Sequence, residues 1–281
     1  MRRVMVTGAG GQLGSTIVAR MAATYEVLAF TRSQLNIADE ATVLAKAAEV
    51  APDVIINCAA YNDVDRAEDA AIDAISGNAL GVLSLSRAAA AAGATLVHYS
   101  TDFVFDGNSD HPYTEEGAPR PLSTYGTTKL LGECFALEAP SAYVLRVESL
   151  FGGRPAKSSI DKILAAIQAA HPVRVFADRT VTPSYVEDVT SATEALLERE
   201  APVGLYHCVN TGVTTWLGVA TEAARLLGRD AEIIPVSSDS VELRARRPRY
   251  CALSNQKLAD AGIPMPTWQD ALERHINRVP R

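Results

Sequence analysis

The run Val4-Met5-Val6-Thr7-Gly8-Ala9-Gly10-Gly11-Gln12-Leu13-Gly14 constrains this chain more than any other stretch. The apolar residues before Thr7 are too few for anything but a strand, and from Gln12 to Ala23 the positions Leu13, Ile17, Val18 and Met21 recur at helical spacing. A strand that passes through a glycine turn into a helix places the helix's positive end at the tip of a sheet, where bare N–H groups receive a pyrophosphate. Gly8 permits the sharp turn, Gly11 leaves the amides uncovered, and Gly14 lets helix and strand pack closely. The unit predicts an α/β chain with a doubly wound parallel sheet of the Rossmann type that holds a dinucleotide.

At 281 residues the chain has room for one such domain and a smaller lobe. With 48% hydrophobic and 21% charged residues and no apolar run near the ~20 residues of a membrane span, it reads as a cytoplasmic globule without a membrane partner. A net charge of −7 offers no general attraction to nucleic acid. Cys58, Cys134, Cys208 and Cys251 are scattered without a C-x-x-C pair, so neither a metal site nor a disulfide frame is expected.

The second strand, from Tyr25 to Phe30, ends in Thr31-Arg32-Ser33. A carboxylate there would grip a ribose hydroxyl, whereas Arg32 suits a 2′-phosphate; NADPH is the expected cofactor, with NADH open. Asn36 and Ile37 follow at the start of a helix capped by Asp39, with Ile37 expected against adenine. The strand from Asp53 to Asn57 delivers Cys58, Ala59, Ala60 and Tyr61 to the cofactor edge of the sheet. A long alanine-rich helix is predicted over Ala70–Ala92, ended by Gly93. The fourth strand, Thr95–Thr101, carries His98 as a core residue and closes with Ser100, Thr101 and Asp102. After a long loop from Phe103 to Ser123, Tyr125 and Lys129 lie four apart on one helix face.

These residues suit ketone reduction by hydride. Tyr125 would donate the proton, its phenol brought toward neutrality by the Lys129 ammonium, and Thr101 would bind the carbonyl oxygen. Later in the chain, Arg244, Arg246, Arg247 and Arg249 form the one dense basic run, fit for a substrate pyrophosphate.

The spacing T-G-x-x-G-x-x-G resembles that of the extended short-chain dehydrogenase/reductases. Gly11-Gln12-Leu13-Gly14, Pro52–Asn57, Ala59-Ala60-Tyr61, Ser100–Gly107, Tyr125-Gly126 with Lys129-Leu130, and Arg247-Pro248 resemble the dTDP-4-dehydrorhamnose reductases. The resemblance spans nearly the whole chain. It implies a triad of Thr101, Tyr125 and Lys129, and a cofactor held by Gly8, Gly11, Gln12, Leu13, Thr31, Arg32, Asn36, Ile37, Cys58, Ala59, Ala60, Tyr61, Ser100, Tyr125 and Lys129. A nucleotide-linked 4-keto-6-deoxyhexose would meet Thr101, Asp102, Phe103, Glu148, Ser149 and Arg247, as in dTDP-rhamnose biosynthesis. The dinucleotide domain would be residues 1–151 plus 184–210, the substrate lobe 152–183 plus 211–281, and a homodimer is allowed. Two departures stand out. Phe103 replaces the tyrosine of S-T-D-Y-V-F, and Arg146–Gly152 replaces R-T-x-W-V-Y-G, with no tryptophan for the sugar and with Glu148 unexplained. Two other readings remain. One is a non-catalytic NADP-binding subunit resembling the partner of methionine adenosyltransferase, and the other is a sugar-nucleotide epimerase or dehydratase.

Overall fold

The computed structural model describes residues 1–278. Strands β1 (Arg3–Thr7), β2 (Glu26–Phe30), β3 (Val54–Asn57), β4 (Thr95–Thr101) and β5 (Ala142–Val147) alternate with helices α1 (Gln12–Met21), α2 (Glu40–Val50), α3 (Ala71–Ile75), α4 (Gly81–Ala92) and α5 (Thr124–Leu137). There follow β6 (Leu150–Phe151), α6 (Ser159–Gln168), β7 (Val173–Phe176), β8 (Thr180–Val181), β9 (Ser184–Tyr185), α7 (Val186–Glu198) and β10 (Gly204–His207). The remaining elements are β11 (Thr214–Thr215), α8 (Trp216–Leu227), β12 (Ile233–Val236), α9 (Gln256–Asp260) and α10 (Trp268–Arg278).

Six strands form one parallel sheet in the order β2-β1-β3-β4-β5-β10. Because the order reverses between β1 and β3, a crevice opens there at the carboxyl edge. Alternation decides which residues face which helices: Val4, Val6, Ile17, Val97 and Leu145 pack on one side of the sheet, Met5, Ile55, Leu85, Leu96 and Val144 on the other. Each such side chain contributes roughly 1.5–3 kcal/mol when fully buried. A third apolar core gathers Ile160, Ile163, Leu164 and Ile167 from one face of α6 with Val173, Val175, Val219, Ala223, Trp268 and Leu272. Ser158 and Asp161 close a capping box at the start of α6.

Two expectations differ from the structure. The helix over Ala70–Ala92 is interrupted by a π-helical turn at Ser76–Leu80. The wider turn brings buried Asn78 to the Tyr61 backbone, where its amide accepts from Tyr61 N at 2.8 Å and donates to Tyr61 O at 3.1 Å. The stretch from Leu258 to Met265 also belongs to the large core and not to the small lobe, because Leu258, Ile263 and Met265 cover Tyr206 and Cys208 at the sheet edge.

Candidate active site

The glycine turn is built around close backbone approaches. Gly8 sits at φ +69°, and a β-carbon there would lie 2.4 Å from Ala59 N; one at Gly14 would lie 2.4 Å from Gly8 O. Gly11 differs, since its β-carbon would meet only Gly8 O, at 3.3 Å, and would otherwise fill open space on the cleft wall. Gly11 caps α1 without a side-chain hydrogen bond, and the first turn holds no acid. Bare amides beside a space that a side chain would fill fit a pyrophosphate. Gln12 and Leu13 face it through their backbone only. The Gln12 amide donates to Gly152 O, and the Leu13 side chain is in the core.

The end of β2 adjoins this turn through Ala9 N donating to Phe30 O at 3.1 Å. Thr31 bonds Gln34 through both its N–H and its hydroxyl, and exposed Arg32 has no side-chain partner among the described residues. Ile37 and Asn36, like Gly8, Thr31 and Arg32, are not among the residues lining the cleft. Ile37 is buried beneath α4, where Gly81 makes room for it, and exposed Asn36 accepts from Ala38 N.

At the end of β3 the cofactor edge is organised by Asn57, which sequence reasoning gave no role. Its Oδ1 accepts from Thr7 Oγ1 at 2.8 Å and Ala59 N at 3.0 Å, and its amide meets His98 Nδ1 at 3.0 Å. Cys58, Ala59 and Ala60 consequently line the cleft. Tyr61 does not line it; it packs behind, against Ala67, Ala74 and Tyr125.

Thr101, Asp102, Phe103, Tyr125 and Lys129 share a cleft of about 1180 Å³ with Gly11–Gly14. Ser123 caps α5 by accepting from Gly126 N at 3.1 Å. The helix is seated by two glycines: a β-carbon at Gly126 would lie 2.3 Å from Phe103 O, and one at Gly132 2.2 Å from Asn78 O. These roles were missed, although the spacing of the two glycines on one helix was visible. Ser100 lies on the cleft, but its hydroxyl is committed to Glu133 at 2.5 Å, so it is not free for a cofactor. Glu133 in turn holds Arg146 through bonds of 2.8 and 2.7 Å, an ion pair that is buried throughout.

The electrostatics depart from expectation. Lys129 Nζ donates to Tyr99 O at 2.6 Å, and burial pulls the ammonium down to about 8 against the opposing pull of Glu133 and Cys58. Burial pushes the Tyr125 phenol up from its ordinary value, the Asp102 charge adds to this, and the Thr101 hydroxyl opposes it. Lys129 is thus anchored on the Tyr99 carbonyl, one helical turn from Tyr125. Phe103 packs edge-on against Tyr125, with ring centroids 5.6 Å apart.

Ser149 and Leu150 line the cleft together with Trp216 from α8 and Arg179. Glu148 does not line it. Its buried carboxylate accepts from Thr182 N at 2.7 Å and from the Thr182 hydroxyl, both on Oε2. Arg247 reaches the cleft, but its guanidinium is bidentate on Asp65, 2.8 Å from each oxygen, and holds that carboxyl down to about 2. Arg244 and Arg249 are likewise paired, with Asp69 and Asp239. Lys157, Lys162 and Arg174 line the cleft with no carboxylate partner among the described residues.

A glycine turn at the switch point of a parallel sheet, with Thr101, Tyr125 and Lys129 on the neighbouring strand end and helix, defines an extended short-chain dehydrogenase/reductase. Residues 1–280 match the family model described as the RmlD substrate binding domain, and the chain belongs to that family. It is 36% identical to the dTDP-4-dehydrorhamnose reductase of Mycolicibacterium smegmatis, over 99% of this chain and 86% of that one. It is 32% identical to the spore coat polysaccharide biosynthesis protein SpsK of Bacillus subtilis, over 98% and 97%. The dTDP-4-dehydrorhamnose reductase of Bacillus anthracis, solved in complex with NADP, superposes with a TM-score of 0.95 at 31% identity, covering 99% of this chain and 100% of that one.

Proposed function

We propose that the chain is an NADPH-dependent reductase of a nucleotide-activated 4-keto-6-deoxy sugar, of the dTDP-4-dehydrorhamnose kind. The observation that carries this reading is the meeting of Thr101, Tyr125 and Lys129 in the same cleft as the first-turn amides of Gln12 and Leu13, which the glycine at position 11 leaves uncovered. Those amides would hold the pyrophosphate, Arg32 the 2′-phosphate, and Cys58–Ala60 the adjoining ribose. When bound, the dinucleotide supplies the hydride. The protein's own part is the proton. A phenol kept protonated by burial is an acid in waiting, and the alkoxide formed from a ketone is basic enough to take its proton. The phenolate left behind is a buried anion, and Lys129, one turn along the same helix face, supplies compensating charge. Lys157, Lys162 and Arg174 would take the diphosphate of the substrate, a task the paired Arg247 is poorly placed to perform. NADH is a second donor on this reading.

The retained Thr101, Tyr125 and Lys129 support turnover over a binding-only role. The test is NADPH oxidation by the purified protein against a panel of nucleotide-linked 4-keto-6-deoxy sugars. Tyr125→Phe should lower kcat by about 10²-fold or more and leave NADPH affinity unchanged. Full activity in that variant would end the mechanism.

A further inference from the structure

Thr101 has one hydroxyl proton. In the structure it points to Asp102 Oδ1, 3.0 Å away, while the Thr101 oxygen accepts from Phe103 N at 3.2 Å. A threonine in that state has no proton left for a carbonyl oxygen of a substrate. Behind Asp102 stands Glu148: a carboxylate oxygen of each and the Cys251 sulfur lie within 4.8 Å of one another, all on buried residues. Thr182 occupies Glu148 Oε2, but Oε1 is buried with no partner. Two buried carboxylates this close do not both ionise.

We propose that Glu148 is a positioning residue which shares one proton with Asp102 and thereby frees the Thr101 hydroxyl for the substrate carbonyl. With the proton on Asp102, its O–H donates to Thr101 Oγ1 and the Thr101 O–H turns to the cleft. With Asp102 ionised, the Thr101 proton is drawn back to the carboxylate. The proposal rests on reading the site as a ketone reductase. Burial raises both carboxyls, and for Glu148 the Asp102 charge adds to it. Facing Asp102 are Tyr125, Cys251 and Arg179; facing Glu148 are Thr182, Tyr250, Cys251 and Arg179. Arg179 brings the positive charge of this group, which disfavours a metal ion in the same place.

Glu148→Gln keeps the shape and the Thr182 contact but has no proton to share. Wild type should show the infrared C=O band of a protonated carboxyl at neutral pH, and the variant should lose it. The falling limb of kcat against pH should move toward acid by about one unit, a tenfold change in proton concentration, with melting temperature and NADPH affinity unaltered. Thr182→Val removes a donor to the Glu148 carboxylate and should move the limb toward alkali. A wild type without the band, a Glu148→Gln profile that superposes on wild type, or a stoichiometric divalent metal lost in that variant would each overturn the proposal. The band needs no substrate, so a protein that shows it yet reduces no sugar ketone refutes the functional reading alone.

Discussion

Lys129 is a charge held where charge is costly, buried with its ammonium on the Tyr99 carbonyl. A lysine whose value falls from 10.5 to about 8 on folding costs stability below pH 8, and the cost is relieved as pH rises toward 10.5, because the unfolded chain then binds the extra proton. Relative to Lys129→Met, wild type should therefore gain about 2 kcal/mol between pH 7 and pH 9.5, read from urea unfolding of both proteins. A constant difference would show that the ammonium is better solvated than its burial suggests. Just past the end of β2, Arg32→Ala should weaken NADPH by about tenfold or more and leave NADH within about twofold, measured by fluorescence titration. That Thr101, Tyr125 and Lys129 come together in one cleft was legible because each follows from its distance to a neighbouring strand end or helix start. The positions of Glu148, Arg247 and Ile37 were not. Thr182, Asp65 and Gly81, which decide them, lie far off in sequence and carry no local signal.

At the scale of elements, the turn from β1 into α1 separates two tasks that one row of glycines conceals. Gly14 is required by packing, since a β-carbon there would lie 2.4 Å from the Gly8 carbonyl oxygen, whereas at Gly11 the same oxygen stands 3.3 Å off, a tight contact that a small shift relieves, and the rest is open. Gly14→Ala should cost about 2–4 kcal/mol of stability by thermal melting. Gly11→Ala should melt near wild type yet bind NADPH at least about tenfold more weakly. If the two variants behave alike, the distinction is unfounded. Strand and helix ends were readable to within a few residues from apolar periodicity and caps, Asp39 among them, which accepts from Thr42 N. The π-helical turn left no such trace. Alanine-rich sequence is compatible with an unbroken helix, and only the Tyr61 backbone and Thr128, both bonded by Asn78, give the wide turn its purpose.

For the molecule as a whole, the parallel sheet and its cleft were foreseeable because alternating strands and helices admit few topologies. How the far half of the chain divides itself was less so. Residues after β5 leave the main sheet, build part of the third core, return through α7 to lay down β10, depart again for α8 and β12, and come back as Leu258–Met265 against β10. The Asp65–Arg247 pair and the bridge between Tyr113 and Leu253 fasten that last return to loops of the first half. Such repeated passage makes the two bodies inseparable by scissors: no single cut in the gene yields either one intact. When α5 emerges from a ribosome, β10 and both Trp216 and Arg247 of the cleft wall are still to follow, so the cleft is incomplete until those segments have been made.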